Sequence, residues 1–314
     1  MPNFVLPFLK LDKNKVKIAG GKGANLGEMT KSGIPVPPGF VVLATAFEEF
    51  IKETGIDLEI KLKMGKIDHK NIKSVDQASN QIRALIKKAK LPKHIGQEIV
   101  KAFNELNCPL VAVRSSATSE DSKTASWAGE LETFLFVNKI GLLNTVNNCW
   151  SSLFTARAIF YRFEKRLQKK KVSVAVVVQK MVNSEISGVA FTVHPVTRDK
   201  GKMIIEAVLG QGEAIVSGRI TPDTYVIDKK DNYISEISVA EQKEKIIKSK
   251  TGGSKLAKID FKEGKKQKLS GRQIIELAEI CKRIERHYGH PQDIEWAREK
   301  NIFYILQTRP ITTL

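Results

Sequence analysis

Three polar clusters in the sequence combine residue types that can do chemistry with spacing that packing alone does not explain. The first is Gly20-Gly21-Lys22-Gly23. Glycines let backbone N–H groups approach an anion, and a lysine at a helix start adds a point charge. This is not the P-loop pattern, in which the lysine follows a longer spacing and precedes Ser or Thr. A structural turn with an exposed lysine would read the same way. The second cluster is Val113-Arg114-Ser115-Ser116-Ala117-Thr118-Ser119-Glu120-Asp121. Here an arginine leaves an apolar run for hydroxyl-rich backbone. Its fixed fork of donors suits triphosphate oxygens, and its small neighbours allow close approach. A Ser/Thr turn with a surface arginine is the plain alternative.

The third cluster pairs Pro291-Gln292-Asp293-Ile294-Glu295-Trp296 with Ile302-Phe303-Tyr304-Ile305-Leu306-Gln307-Thr308-Arg309-Pro310. Both segments read as strands with polar residues at alternate positions. A bulge near Asn301 in their connection would set Glu295 opposite Gln307 and Asp293 opposite Arg309. A one-residue slip would send the pairs to opposite faces. Carboxylate and amide oxygens beside an arginine are what a magnesium nucleotide needs: hard oxygen ligands, and a cation for developing phosphate charge. A structural Asp293–Arg309 ion pair is the alternative. Between the clusters lies Val176-Val177-Val178-Gln179-Lys180-Met181. A buried strand that turns polar at Gln179 could form a hinge whose backbone reads an adenine edge, with Met181 as a soft apolar wall.

The elements that must position these residues are a mixture of helices and strands. Glycines 20, 21 and 23 suggest a flexible turn, with a short helix starting near Ala24. Phe40–Leu43 reads as a strand, and Thr45 as the cap of a helix over Ala46–Thr54. Helical spacing recurs through residues 56–107, and Leu110–Val113 is a short strand entering a polar loop from Arg114 to Gly129. Thr133–Val137 is a strand, residues 140–166 one long helix, and Val172–Val178 a buried strand. Further strands follow at Ser187–Thr192, Met203–Val208, Thr221–Ile227 and Tyr233–Val239. Residues 241–268 are charged and interrupted by glycines, which suggests a mobile surface excursion. An amphipathic helix at 271–288 precedes the final two strands. The expected class is α+β, with at least two sheets.

Composition sets the outer limits. The 314 residues are 42% apolar and 27% charged, ordinary for a globular protein and unlike a disordered or disulfide-scaffold chain. The formal net charge of +18 favours anionic partners. The excess is scattered lysine without interleaved aromatics or arginine forks, so nucleic acid is not the expected partner. Cys108, Cys149 and Cys281 have neither metal-ligand spacing nor an even count, which fits a reduced, cytoplasmic protein. The N-terminal segment is too short and too lightly charged for a signal peptide, and no apolar run approaches the ~20 residues of a membrane span.

Taken in order, the segments resemble the nucleotide-binding domain of phosphoenolpyruvate synthase and pyruvate phosphate dikinase, a domain that rifampin phosphotransferase also carries. The resemblance rests on Gly-Gly-Lys-Gly-Ala-Asn-Leu-Gly-Glu-Met (20–29), Val-Arg-Ser-Ser-Ala-Thr-Ser-Glu-Asp (113–121) and Trp-Ala-Gly-Glu-Leu-Glu-Thr-Phe (127–134). It continues through Ser-Gly-Val-Ala-Phe-Thr (187–192), Gly-Gln-Gly-Glu-Ala-Ile-Val-Ser-Gly (210–218), and Asp-Ile-Glu-Trp-Ala with Leu-Gln-Thr-Arg-Pro near the C-terminus. It implies an ATP-grasp fold of two lobes, 1–180 and 181–314, with ATP bound between them. By the same resemblance Lys22 and Arg114 contact phosphates, and Gly129 and Thr133 belong to the loop closing over them. Gln179, with Met181 beside it, sits at the adenine hinge. Glu295 and Gln307 bind Mg²⁺ and ATP, and Arg309 stabilises the phosphoryl group in flight. Arg309, Lys22 and Arg114 form the expected catalytic set.

The resemblance also implies something that this sequence lacks. The family's dikinases are far longer and carry a catalytic histidine, in a Thr-Ser-His context, on a swivelling domain. None of His69, His94, His194, His287 and His290 has that context. The expectation is therefore a MgATP-dependent phosphotransferase domain of a phosphoenolpyruvate synthase-like (pyruvate, water dikinase) enzyme. It would pass phosphoryl to a histidine on missing C-terminal domains or a separate chain. The same donor half serving an antibiotic phosphotransferase, and a nucleotide-binding module without transfer activity, are the alternatives.

Overall fold

The computed structural model describes residues 3–118, 132–165, 167, 173–216, 218–250 and 252–311. The chain divides into two compact units. The first comprises Met1–Glu28 and Pro38–Met181, and the second Met29–Pro37 and Val182–Leu314. No helix of the described residues is long and apolar enough to cross a membrane. The mixture of helices and antiparallel sheets is the expected α+β class.

The first unit is built on β1 (Val5–Pro7), α1 (Val16–Lys31, as far as Glu28), β2 (Gly39–Val42), α2 (Ala44–Glu53), α3 (Asp57–Gly65), α4 (Ile72–Lys88), α5 (Lys93–Glu105), β3 (Val111–Ala117), β4 (Thr133–Val137), α6 (Leu142–Ser152), α7 (Ala156–Glu164) and β5 (Val174–Lys180). Its sheet runs β1-β2-β5-β3-β4, with every neighbouring pair antiparallel. Successive side chains of a strand point to opposite faces. One face of this sheet carries Phe40, Val42, Val111, Val113, Val174, Val176 and Val178 into a core with Phe50, Ile82, Ile86, Ile99, Val146 and Trp150 from the helices. The central strand β5 is buried at every position but its last, which explains its nearly unbroken valine run.

The second unit contains β6 (Ile186–Phe191), β7 (Lys202–Leu209), α8 (Glu213–Val216), β8 (Asp223–Asp228), β9 (Tyr233–Ser238), β10 (Glu244–Lys248), β11 (Ser254–Lys258), α9 (Phe261–Gly264), α10 (Gly271–Tyr288), β12 (Gln292–Glu299) and β13 (Ile302–Pro310). Its main sheet runs β13-β12-β6-β7-β8-β9. Helix α10 starts on a capping box, Ser270 with Gln273, and ends on left-handed Gly289. It packs against β7, β9 and β12 and buries Ile274, Leu277, Ala278, Cys281 and Ile284.

Several local expectations need correction. Residues 140–166 are not one helix: Thr155 caps a new one by accepting from the Ala158 amide. Helix α2 begins at Ala44 without a side-chain cap, so Thr45 does not play that part. Residues 241–268, expected as a mobile surface excursion, hold the β10–β11 hairpin and α9. Their root is a buried polar knot. Lys268 Nζ lies 3.0 Å from Asp223 Oδ1 and also donates to the carbonyls of Ala240 and Gly264. The Tyr225 hydroxyl donates to Asp223 Oδ2 and accepts from the Leu269 amide. A buried charge pair with every partner supplied fixes a segment that composition alone would leave loose.

Candidate functional site

In the first unit the glycine cluster is less flexible than its composition suggests. Only Gly20 leaves helical geometry (φ 68°, ψ 171°), and α1 is two helical stretches meeting there. Lys22 therefore stands in the first turn of the second stretch, ahead of the expected start near Ala24. A Cβ on Gly20 would meet the Ser116 carbonyl oxygen at 2.4 Å. The residue in the capping position thus has no room for a side chain, and Ser116 of β3 supplies the cap instead. Its Oγ donates to the Ala19 carbonyl at 3.0 Å and accepts from the Gly23 amide at 3.3 Å.

Strand β3 does not end at Val113; it continues through Arg114, Ser115 and Ser116 to Ala117, paired throughout with β5. Pleating then sorts the second cluster. Ser115 faces the helices, bonding the Cys149 carbonyl and the Ser152 hydroxyl on α6. Arg114 and Ser116 face the other way, toward the Gly20 turn. Arg114 lies directly opposite Thr133 of β4 and Val177 of β5. Gln179 is opposite Gly39 and Ala112, on the same face as Arg114. The turn holding Lys22, the Arg114–Thr133 pair and Gln179 thus belong to one face of one sheet. Gly129 lies outside the described residues, as does the whole stretch from Ser119 to Leu131.

The hinge expectation is altered in its atoms. Gln179 is buried inside the strand rather than marking its end, with 2% exposure. The amide of Lys180 donates to the Pro38 carbonyl, and that of Met181 to the Leu110 carbonyl. Those two donors are engaged by the chain itself, so they are not the ones to read a base edge. The side chain of Met181 is half-buried.

In the second unit Glu295 pairs with Gln307, and Asp293 with Arg309. The expected register is present, but the bulge that permits it is elsewhere. The β12–β13 turn is only Lys300-Asn301, both at positive φ (50° and 65°), as a tight type I′ hairpin requires. The register shifts between Glu295 and Trp296, where Leu306 is the extra residue on β13. A bulge bends its strand and re-aims the neighbouring side chains, and this one adjoins Gln307. The Arg309 Nε donates to Asp293 Oδ2 at 2.6 Å.

Sequence reasoning missed Glu206. The register Gln307–Glu295–Val189–Glu206 runs across β13, β12, β6 and β7, so Glu206 shares the face of Glu295. Burial, reinforced by the charge of Asp293, holds the Glu206 carboxyl above its ordinary range. Burial likewise raises Asp293, with Glu295 adding to the rise and Arg309 opposing it. The available signal was a lone carboxylate in the apolar run Met203-Ile204-Ile205-Glu206-Ala207-Val208. Among the described residues no three His, Cys, Asp or Glu side chains gather to hold a metal ion by themselves.

Residues 16–314 match the family model described as pyruvate phosphate dikinase, AMP/ATP-binding domain. The chain belongs to this family. It is 47% identical over 317 residues to a probable phosphoenolpyruvate synthase of Archaeoglobus fulgidus, covering 99% of this chain and 42% of that protein. It is 42% identical over 358 residues to a phosphoenolpyruvate synthase of Pyrococcus furiosus, covering 99% and 44%. It is 39% identical over 319 residues to a rifampicin phosphotransferase of Bacillus cereus, covering 100% and 36%. The AMP/ATP-binding domain described here thus spans less than half the length of these relatives.

Proposed function

We propose that this chain is the MgATP-binding phosphotransferase domain of a phosphoenolpyruvate synthase-like enzyme, with an ATP-grasp fold whose lobes are residues 1–180 and 181–314. Lys22 and Arg114 contact phosphates, Gly129 and Thr133 belong to the loop that closes over them, and Gln179 and Met181 serve the adenine. Glu295 and Gln307 hold Mg²⁺ and ATP. When bound, the metal would supply charge neutralisation on the phosphates. Arg309 stabilises charge on the transferring group, and Asp293 orients it through the Nε contact. In phosphoryl transfer, positioning and charge stabilisation do nearly all the catalytic work.

The observation that carries this reading is the bulged hairpin register. It presents Glu295, Gln307, Asp293 and Arg309 as two facing pairs on one sheet edge. A structural ion pair alone would need only the Asp293–Arg309 half. The acceptor is a histidine of a separate domain or chain, and the complete reaction converts ATP, pyruvate and water to AMP, phosphoenolpyruvate and phosphate. The likeness to a rifampicin phosphotransferase favours a second reading with the same donor half and an antibiotic acceptor.

Isotope transfer tests both. ATP labelled separately at the β and γ positions is mixed with this chain and a supplied phosphohistidine-domain protein. Label on the histidine protein, and phosphoenolpyruvate only when a pyruvate-binding partner is added, is the expected result. Absence of MgATP binding would overturn the reading, and so would phosphoenolpyruvate formation by this chain alone.

A further inference from the structure

One ion pair of the first unit has no part in the chemistry described so far. Arg83 projects from α4, one residue beyond Ile82, which is buried in the helix–sheet core. Its Nη2 reaches Glu132 Oε1 at 2.5 Å, and the two side chains are 24% and 32% exposed. The Nε of Arg83 is buried and has no hydrogen-bond partner among the described residues. Stability alone explains this poorly. An aliphatic side chain would cover the helix flank without the cost of a desolvated guanidinium nitrogen.

What the pair does hold is a junction. The Glu132 carbonyl accepts from both the amide and the hydroxyl of Ser115, each at 3.2 Å. Ser115 is locked in turn to α6 through the Cys149 carbonyl and the Ser152 hydroxyl. Ser115 follows Arg114, Glu132 precedes Thr133, and Arg114 and Thr133 are direct cross-strand partners. The helix layer therefore grips Glu132, next to Thr133, through Arg83, and Ser115, next to Arg114, through α6.

We infer that Arg83 is a positioning residue for triphosphate binding: by clamping Glu132 it sets the placement of Thr133 against Arg114. The inference rests on the proposed ATP reading. A misplacement of about 1 Å at a reacting group can cost about 100-fold, and a partial loss of the clamp should cost about ten-fold. The effect should grow with the number of phosphates, since the clamp acts on phosphate contacts and not on the base.

The test is calorimetric titration of the chain with MgATP and with AMP, for wild type, Arg83→Met, Glu132→Gln and the double variant, beside thermal melts. The expected result is MgATP affinity weakened about ten-fold in each single variant, with AMP affinity within about two-fold of wild type. The double variant should be no weaker than the worse single one, because both break the same contact. Wild-type MgATP affinity in both single variants would overturn the inference, as would equal weakening of AMP and MgATP, or additive losses. If Arg83→Met fails to fold, Glu132→Gln, which keeps the arginine, carries the same comparison. A wild-type chain that binds no MgATP would instead bring down the functional reading.

Discussion

The polar face of the second unit is held by short-range structure. Asp293, Glu295, Gln307 and Arg309 sit on two strands joined by the two-residue turn Lys300-Asn301, and a single bulge at Leu306 fixes their pairing. The polar face of the first unit is assembled from sequence-distant pieces. Lys22 depends on a helix break capped by Ser116, and Arg114 meets Thr133 through β3–β4 pairing. The hairpin should therefore tolerate damage elsewhere in the fold, while the first unit's face should fail when any remote contact fails. A substitution of one of these four paired hairpin residues should change chemistry, whereas one in the first unit should change stability and binding together.

The largest effect expected is on the hairpin. Arg309→Met should lower phosphoryl transfer by about 100- to 1000-fold, as loss of a charge-stabilising donor does, with a much smaller change in MgATP affinity. Single-turnover transfer from labelled ATP, set beside calorimetric affinity, separates the two. An affinity loss equal to the rate loss would mean that Arg309 only binds, and the contrast between the regions would collapse. Next in size is Gly20→Ala. The added Cβ would collide with the Ser116 backbone, in a conformation that already disfavours a side chain. Urea denaturation should show a loss of about 2–4 kcal/mol. Ser116→Ala removes only the distant cap and should cost about 1 kcal/mol by the same assay. A Gly20→Ala chain as stable as wild type would show that the turn yields, and that Lys22 is not held by it.

The same contrast decides what could be read from the sequence. The hairpin pairs were legible because period-two alternation and a short connection leave few registers. Even so, the sequence points to a bulge near Asn301 rather than at Leu306, since strand periodicity does not say where an extra residue is absorbed. Glu206 stayed hidden because it enters the face through two intervening strand pairings, which no local pattern encodes. In the first unit Arg114-Ser115-Ser116 read as loop because hydroxyl residues suit turns, yet tertiary pairing with β5 makes them strand. The break at Gly20 was legible as glycine, while its cap from Ser116 was not. The buried Lys268–Asp223 pair turned an apparently loose stretch into an anchored hairpin for the same reason.

The carboxylates of the second unit offer a pH-resolved test of smaller size. Glu206 is held above its ordinary 4.5 by burial and by Asp293, so the folded chain binds its proton more tightly than the unfolded chain does. Its contribution to stability is therefore lost as pH rises from that ordinary value through the raised one, and the deficit persists at neutral pH. Glu206→Gln should melt higher than wild type at pH 7.5, and the difference should shrink as pH falls through the raised value toward 4.5. Added Mg²⁺ and ATP should also narrow the difference by relieving the repulsion in wild type. A gap independent of pH would mean that packing, not charge, distinguishes the variant.

The smallest effect separates the turn from the bulge as the keeper of register. Lys300 occupies the first central position of the type I′ turn at φ 50°, where asparagine is better tolerated. Lys300→Asn should stabilise the chain by about 0.5 kcal/mol. Because the pairing of Glu295 with Gln307 is set beyond the bulge at Leu306, this gain should leave MgATP affinity and transfer rate unchanged. If the variant instead altered the rate, the turn and the bulge would be mechanically coupled. The hairpin would then share the first unit's dependence on contacts remote from the reacting groups, and the local character argued for it would be lost.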